Sequence, residues 1–298
     1  MVSRFSSVLL FFYFFSAPAF AREVTDAVGV RIELSEKPLR IVTLAPSLGE
    51  LVSVFLGADL ARIVGVSEYS DVPLALKKVF SIGPYNRLNI ERIASLKPDL
   101  IFATTDGNLP DQIQHLRETG MPVVVVNTDD FSEIGNSIKL VGSAIGSPAE
   151  SEQVAKQFSE SLERFRQAVR RRRANQAKPR VLLQLGDDPL VVVGSKTFLH
   201  HAIQLVNAEN IYGDIKDRYP RPSKEDVVKR DPDVILVLAL GADRSYFETL
   251  ARKWGGLRNM RAVQKGRIKV LQADALLRPT LRFLEGASLL EKAIYEEK

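Results

Sequence analysis

Two stretches of this chain write one pattern twice, and that repeat limits what the chain can fold into. "LKPDLIFATTDG" (Leu96 to Gly107) and "RDPDVILVLALG" (Arg230 to Gly241) each hold a Pro-Asp pair, an apolar run and a glycine, with Pro98 and Pro232 134 positions apart. At the same offset Asn89 falls on Ser223, Glu91 on Glu225 and Gly107 on Gly241. Asn and Ser are both good helix N-caps, and a glutamate in the first turn complements the positive end of the helix dipole. Each unit therefore reads as cap, acidic first turn, short helix, Pro-Asp turn and buried strand. The same order of elements around both units makes internal duplication the better reading than chance.

The flanking sequence has the same organisation. "RIVTLAP", "IVGV", "DLIFAT" and "PVVVVN" read as strands, separated by the helical patterns "SLGELVSVFLG", closed by Gly57, "NIERIASL" and "LPDQIQHLRETG". Apolar runs without alternation, separated by helices, indicate parallel strands covered on both faces. A long helix is expected from about Ser147 to Asn175, where Val154, Phe158, Leu162, Phe165 and Val169 recur at helical spacing. The alternation then restarts with "RVLLQLG", "TFLHHAIQLVNA", "KEDVVKRD", "DVILVLAL", "SYFETLARKW", "RIKVLQ" and a closing helix "PTLRFLEGASLLEKAIYEE". The expected fold class is α/β: two similar lobes with mainly parallel central sheets, joined by one long rigid α-helix, with a ligand cleft between them. The expected divisions are 1–21 for an export signal, 22–146 for the first lobe, 147–176 for the connecting helix and 177–298 for the second lobe.

The signal is read from Arg4, the apolar "VLLFFYFF" and "APAFA", whose small Ala19 and Ala21 suit a signal peptidase. The alternative, a membrane anchor, needs about 20 apolar residues. Cysteine is absent, which excludes disulfides, thiolate metal sites, a cysteine nucleophile and a lipid at the cleavage site. A free periplasmic protein is the expectation. Its charge is modest: 41 basic residues less Arg4 leaves 40 against 36 acidic, or +4. The run Arg170 to Arg173 raises the question of nucleic acid, but at the end of a long helix it reads as a solvated terminus favourable to the dipole. No nucleic-acid partner is expected.

In open α/β sheets ligands bind beyond the carboxyl ends of the strands, so the loops there are the candidate site. They are "APS" with Ser47, "SEYSD" with Tyr69, "GPYNR" with Tyr85, "TTDGN" with Gly107 and Asn108, "LGDDPLVVVG" with Val191, "DRYPRP" with Tyr219, and "ADALLRP" with Asp274 and Arg278. Three of the chain's 7 tyrosines fall in these loops, and one lies in the signal.

The order "RIVTLAPSLGELV", "VGVSEYSDVP", "LNIERIASLKPDLIFATTDGN", "LLQLGDDP" and "RPSKEDVVKRDPDVILV" resembles the periplasmic iron-siderophore, haem and cobalamin binding proteins of ABC importers, and most closely their cobalamin-binding branch. The likeness spans nearly all of the expected mature chain. It implies a monomeric carrier with no resident cofactor, whose ligand is cobalamin or a related corrinoid. Its partner would be a permease dimer with ATPase subunits at the inner membrane. Tyr69 matches a tyrosine that lines the cobalamin site, Tyr85 and Tyr219 fall where that branch has tryptophans, and Asp274 and Arg278 match polar residues of the far wall. Thr104 replaces a third tryptophan and Val191 or Val192 a phenylalanine, which leaves room for a different corrinoid. Acidic residues at the positions of Glu91 and Glu225 pair with permease arginines in that family.

Two other ligands stay open. Haem-binding relatives use a tyrosine in the stretch that here reads "GPYNRL", so Tyr85 is a candidate iron ligand, and a ferric siderophore would require Arg87, Arg221 and Arg278 to converge. An enzyme is disfavoured: no GxGxxG opens a helix after the first strand, and no P-loop or GxSxG is present. His115, His200 and His201 have no metal-ligand partner at i+4, so neither a catalytic set nor a metal site is expected.

Overall fold

A computed structural model describes residues 22–239 and 244–296. The expected export signal, Met1 to Ala21, and Gly241 of the repeat lie outside the described residues. The chain opens with a hairpin of β1 (Arg22–Thr25) and β2 (Arg31–Leu34). The sequence reading had passed over it, although Val24, Ile32 and Leu34 are its buried side chains. Gly29, at φ 82°, makes its turn, and Asp26 Oδ1 accepts from the amides of Val28 and Val30 at 3.1 and 2.9 Å.

Next come β3 (Ile41–Thr43), α1 (Pro46–Leu56), β4 (Ile63–Val66), α2 (Ile90–Ser95), β5 (Leu100–Thr104), α3 (Pro110–Glu118) and β6 (Val123–Val126). Their sheet runs β4-β3-β5-β6 and is parallel throughout. Two helices follow, α4 (Phe131–Ile145) and α5 (Pro148–Arg173). Only the second was expected. Helix α4 is real because Ile134, Ile138, Val141 and Ile145 form a buried stripe at helical spacing. Its Gly142 lets α5 approach closely: a Cβ there would stand 2.2 Å from Ser151 Cβ. The 26 residues of α5 span about 39 Å at the helical rise.

The second lobe holds β7 (Arg180–Asp187), β8 (Leu190–Val192), α6 (Phe198–Leu205), β9 (Glu209–Asn210), α7 (Lys224–Arg230), β10 (Val234–Ala239), α8 (Arg244–Trp254), α9 (Arg261–Gln264), β11 (Ile268–Gln272) and α10 (Phe283–Tyr295). Strands β11, β10, β7 and β9 are parallel, while β8 returns antiparallel on β7, turning the expected loop after "LLQLG" into a hairpin. Both sheets are thus mainly parallel, as the apolar runs predicted.

The structure gives the repeat a physical reason. Asn89 and Ser223 are both side-chain N-caps, accepting from Arg92 N at 2.9 Å and Asp226 N at 3.2 Å. Lys97 and Asp231, also 134 apart, both turn the chain with positive φ, 45° and 44°. The Pro-Asp aspartate then tethers the neighbouring central strand of each lobe. Asp99 accepts from Leu39 N and Arg40 N, both at 2.7 Å, and Asp233 accepts from Arg180 N at 3.0 Å. A carboxylate at the amino end of β5 or β10 satisfies donors that begin β3 or β7 and that no ladder partner reaches.

Each sheet has an outer-face core of its own: Val42, Ile93, Ile101 and Leu116 in the first lobe, and Leu182, Ile235, Leu250 and Trp254 in the second. The other faces share one continuous cluster. It runs from Ile41, Leu48 and Phe102 through Ile138, Phe158 and Leu162 to Leu183, Phe198, Leu236 and Phe283. Phe198 and Phe283 meet edge to face at 6.2 Å. The lobes are therefore joined by shared apolar packing as well as by α5. Among the described residues no helix is long and apolar enough to cross a membrane.

Candidate ligand cleft

Parallel strands put the loops after β3, β4, β5, β6, β7 and β11 at the carboxyl ends of the two sheets. Ser47 stands half-buried in the first turn of α1, directly after β3. Tyr69, in the loop after β4, is 73% exposed and held at φ 64°. Its carbonyl accepts from Arg278 Nη2 of the other lobe at 3.1 Å.

Tyr85, Gly107 and Asn108 form one local unit. The buried Asn108 side chain donates to Leu44 O at 3.0 Å and Tyr85 O at 2.7 Å, and accepts from Thr104 N at 2.9 Å. It stitches the ends of β3 and β5 to the tyrosine loop, so it shapes the cleft wall through main chain. Gly107 has φ 105°, and a Cβ there would meet the Tyr85 ring at 2.5 Å, so only glycine lets this ring lie flat against the turn. Burial and the nearby Asp106 carboxylate push the Tyr85 phenol up from its ordinary value.

Across the cleft, main-chain pairing fixes the loop that carries Tyr219. Val192 N donates to Pro220 O at 3.1 Å and Gly194 N to Arg218 O at 2.9 Å, which also sets the half-buried Val191 of the β7–β8 hairpin beside that loop. The Tyr219 hydroxyl donates to Asp106, 3.1 Å from both carboxylate oxygens. Arg218 binds Asp129 through Nη2 at 2.7 Å to each oxygen, with Nη1 3.4 Å from Asp106. Burial raises the Asp106 carboxyl pKa even against Arg218, and burial beside Asp106 pushes the Tyr219 phenol far up. This cluster bridges the first lobe to the second.

A second bridge uses Glu50 of α1, whose side chain is only 7% exposed. Its Oε1 accepts from Thr280 Oγ1 at 2.6 Å, and its Oε2 lies 3.8 Å from Arg278 and from Arg282. Arg278 also pairs with Asp71 at 2.7 Å. The half-buried Asp274 opens a short 3-10 turn, Asp274–Leu277, whose backbone packs so closely on α10 that a Cβ at Gly286 would lie 2.2 Å from Leu276 N.

The structure thus groups Tyr85, Gly107, Asn108, Val191 and Tyr219 at one bridge, and Tyr69 and Arg278 at the other, with Ser47 and Asp274 at their own strand ends. Arg278 is held by two carboxylates and a carbonyl, while Arg87 and Arg221 are exposed. Sequence reasoning passed over Glu50, Asp106, Asp129 and Arg218. The one signal for Glu50 was an acid inside the otherwise apolar pattern of α1. The histidines lie elsewhere: His200 Nδ1 is 3.3 Å from Asn210 Nδ2, His201 follows it on α6, and the exposed His115 pairs with Glu118 at 3.7 Å. Glu91 and Glu225 are exposed in the first turns of α2 and α7, which begin at the carboxyl ends of the sheets.

Two α/β lobes on a common helix, with a tyrosine-bearing cleft bridged at two places, define a two-lobed binding protein. The chain belongs to the periplasmic binding protein family, whose model matches residues 41–275, and it is accordingly a periplasmic protein. It is 30% identical to the vitamin B12-binding protein of Salmonella typhi over 218 residues, 73% of this chain and 78% of that one. The fold is shared with the periplasmic vitamin B12 binding protein BtuF of Vibrio cholerae, with a TM-score of 0.73 and 28% identity over 87% of this chain and 99% of that one. It is also shared with the periplasmic heme-binding protein RhuT from Roseiflexus sp. RS-1, with a TM-score of 0.73 and 27% identity over 86% of this chain and 97% of that one.

Proposed function

We propose that this protein captures a corrinoid, cobalamin or a relative of it, between its lobes and delivers it to an ABC importer in the inner membrane. The observation that carries the reading is the charge balance of the cleft. Arg218 is matched in charge by Asp106 and Asp129, and Arg278 by Glu50 and Asp71, so neither bridging arginine holds an uncompensated charge for a ligand carboxylate, although Nη1 of each keeps a free hydrogen-bond donor. A corrin ring carries neutral amide side chains, which hydrogen-bond to carboxylates and carbonyls without needing a counter-charge. Tyr69, Tyr85 and Tyr219 supply flat surfaces for such a macrocycle.

Haem bears two propionates and favours uncompensated cations. Iron ligation by Tyr85 would also place a phenolate beside the Asp106 carboxylate, which, with burial, raises the pKa of that phenol. A ferric siderophore needs convergent arginines, and Arg278 is engaged elsewhere. The named relatives are binding proteins, in keeping with a carrier that returns its ligand unchanged.

Delivery is assigned to Glu91 and Glu225, one exposed carboxylate at the same place on each lobe, meeting arginines on a two-fold permease. The test of the ligand is a visible spectrum of protein purified from its native host, followed by titration with cyanocobalamin and with haemin. Saturable cyanocobalamin binding with recovery of intact ligand supports the reading. Binding of haemin alone overturns it.

A further inference from the structure

Three of the four arginines at the end of α5 divide between two uses. Arg172 and Arg173 both clamp Glu291 of α10, at 2.6 and 3.0 Å, and Arg173 stacks on Tyr295. Arg170 belongs to another face. Together with Arg166, one helical turn earlier, it forms a wall of a groove of about 340 Å³ between α5 and α6, closed on other sides by Lys178, His201, Gln204 and Asn207. The floor is apolar, made by the buried Val169 and Leu205.

Among the described residues no carboxylate lines this groove. Arg166 is tied through Nη1 to the exposed Glu163 at 2.8 Å, and Glu163 also attracts Arg170 from beyond ion-pair distance, while no ion pair is formed by Arg170 or Lys178 among the described residues. Helix-dipole stabilisation does not account for the cluster. That effect fades beyond the last turn, yet Arg166 lies about two turns from the end of α5 and Lys178 lies outside the helix altogether. With one exposed carboxylate, Glu163, set against Arg166, Arg170 and Lys178, the groove keeps a net positive charge that an anion would offset.

From this geometry we infer that the groove between α5 and α6 is a second binding site, separate from the ligand cleft, for a phosphate-bearing anion. Guanidinium groups one turn apart present donors in the planar arrangement that phosphate oxygens accept, and Lys178 adds a mobile point charge. The amide of Gln204 supplies a neutral donor. The cavity is larger than a bare phosphate fills, so it accommodates the group that carries the phosphate as well. A phosphorylated solute and the headgroup of an anionic phospholipid share this chemistry.

The test uses the exported protein at constant ionic strength. Inorganic phosphate and glycerol 3-phosphate are titrated against it while backbone amide resonances are followed, with chloride as the control. Saturable shifts confined to the amides of Arg170, Lys178, His201 and Gln204 are expected. The R170E/K178E variant should bind at least about tenfold more weakly, with R170Q/K178Q intermediate, because each substitution removes or reverses a charge facing the anion. Unchanged thermal melting and unchanged cleft-ligand binding certify the fold of both variants. Co-sedimentation with phosphatidylglycerol but not phosphatidylcholine vesicles, lost in R170E/K178E, assigns the group to a lipid headgroup; phosphate binding without vesicle binding assigns it to a soluble phosphate ester. Absence of both, or equal response in wild type and R170E/K178E, overturns the inference.

Discussion

Replacing Glu50 separates the two things a buried carboxylate contributes to the lobe interface, its shape and its charge. Burial raises its pKa, and this outweighs the Thr280 hydrogen bond and the two arginines that act in the opposite direction. A carboxyl whose folded pKa lies above its unfolded value contributes stability that is fully present below the unfolded pKa and is lost as pH rises through the folded one. Ionised Glu50 therefore weakens the fold relative to its neutral form, and Glu50→Gln, which keeps the acceptor for Thr280 without the charge, should lie within about 1 kcal/mol of wild type at pH 7. It should also flatten the stability profile above pH 4.5, the ordinary value for this group. Glu50→Ala is different. It loses a bond of 2.6 Å to Thr280, worth about 1.5 to 3 kcal/mol when charge-assisted, and a buried methylene worth about 0.8 kcal/mol. Arg278 keeps Asp71 and Arg282 keeps Glu285, so neither cation is stranded and the total stays near 2 to 4 kcal/mol. Urea midpoints between pH 4 and 8 measure all three proteins. If Glu50→Gln costs as much as Glu50→Ala at pH 7, ionised Glu50 is the stabilising species and the reasoning fails.

Three further outcomes are expected. The triple variant Tyr69→Ala, Tyr85→Ala, Tyr219→Ala should lose roughly 1 to 3 kcal/mol of corrinoid binding per ring by isothermal titration, and undiminished affinity with the fold intact would remove the tyrosines from the site. Reversing Glu91 and Glu225 to lysine should leave ligand binding nearly intact and abolish uptake in a transport assay, because both carboxylates are exposed on helices outside the bridged cleft; wild-type transport by the double variant would reduce them to helix-dipole partners. X-ray scattering with and without ligand should show little change in overall dimensions, since closing the lobes as a large hinge would break both the helical bonds of α5 and the apolar cluster that runs through it. A large contraction would refute that.

What the sequence determined by itself is what short-range periodicity and local chemistry encode. The parallel strands were legible because β5, β6 and β10 are runs of apolar residues buried on both faces. The repeat was legible because caps and Pro-Asp turns act within a few residues, and Asn89, Ser223, Asp99 and Asp233 hold the places that spacing gave them. Helix α4 was passed over although Ile134, Ile138 and Val141 carry the period, and its Gly135 and Gly142 are weak helix formers. Only in three dimensions does Gly142 turn out to be the residue that lets α5 pack against it. The loops at the strand ends could be placed from the sequence, but the side-chain pairs that bridge them could not. Arg218 meets Asp129 across 89 residues, Tyr219 meets Asp106 across 113 and Glu50 meets Thr280 across 230. No periodicity encodes such pairs, because each depends on how two separately folded sheets are set against each other by α5. The same holds for the arginine run at 170–173, one block of charge in the sequence, from which the faces of a helix send Arg172 and Arg173 to a clamp on Glu291 and Arg170 to an open groove.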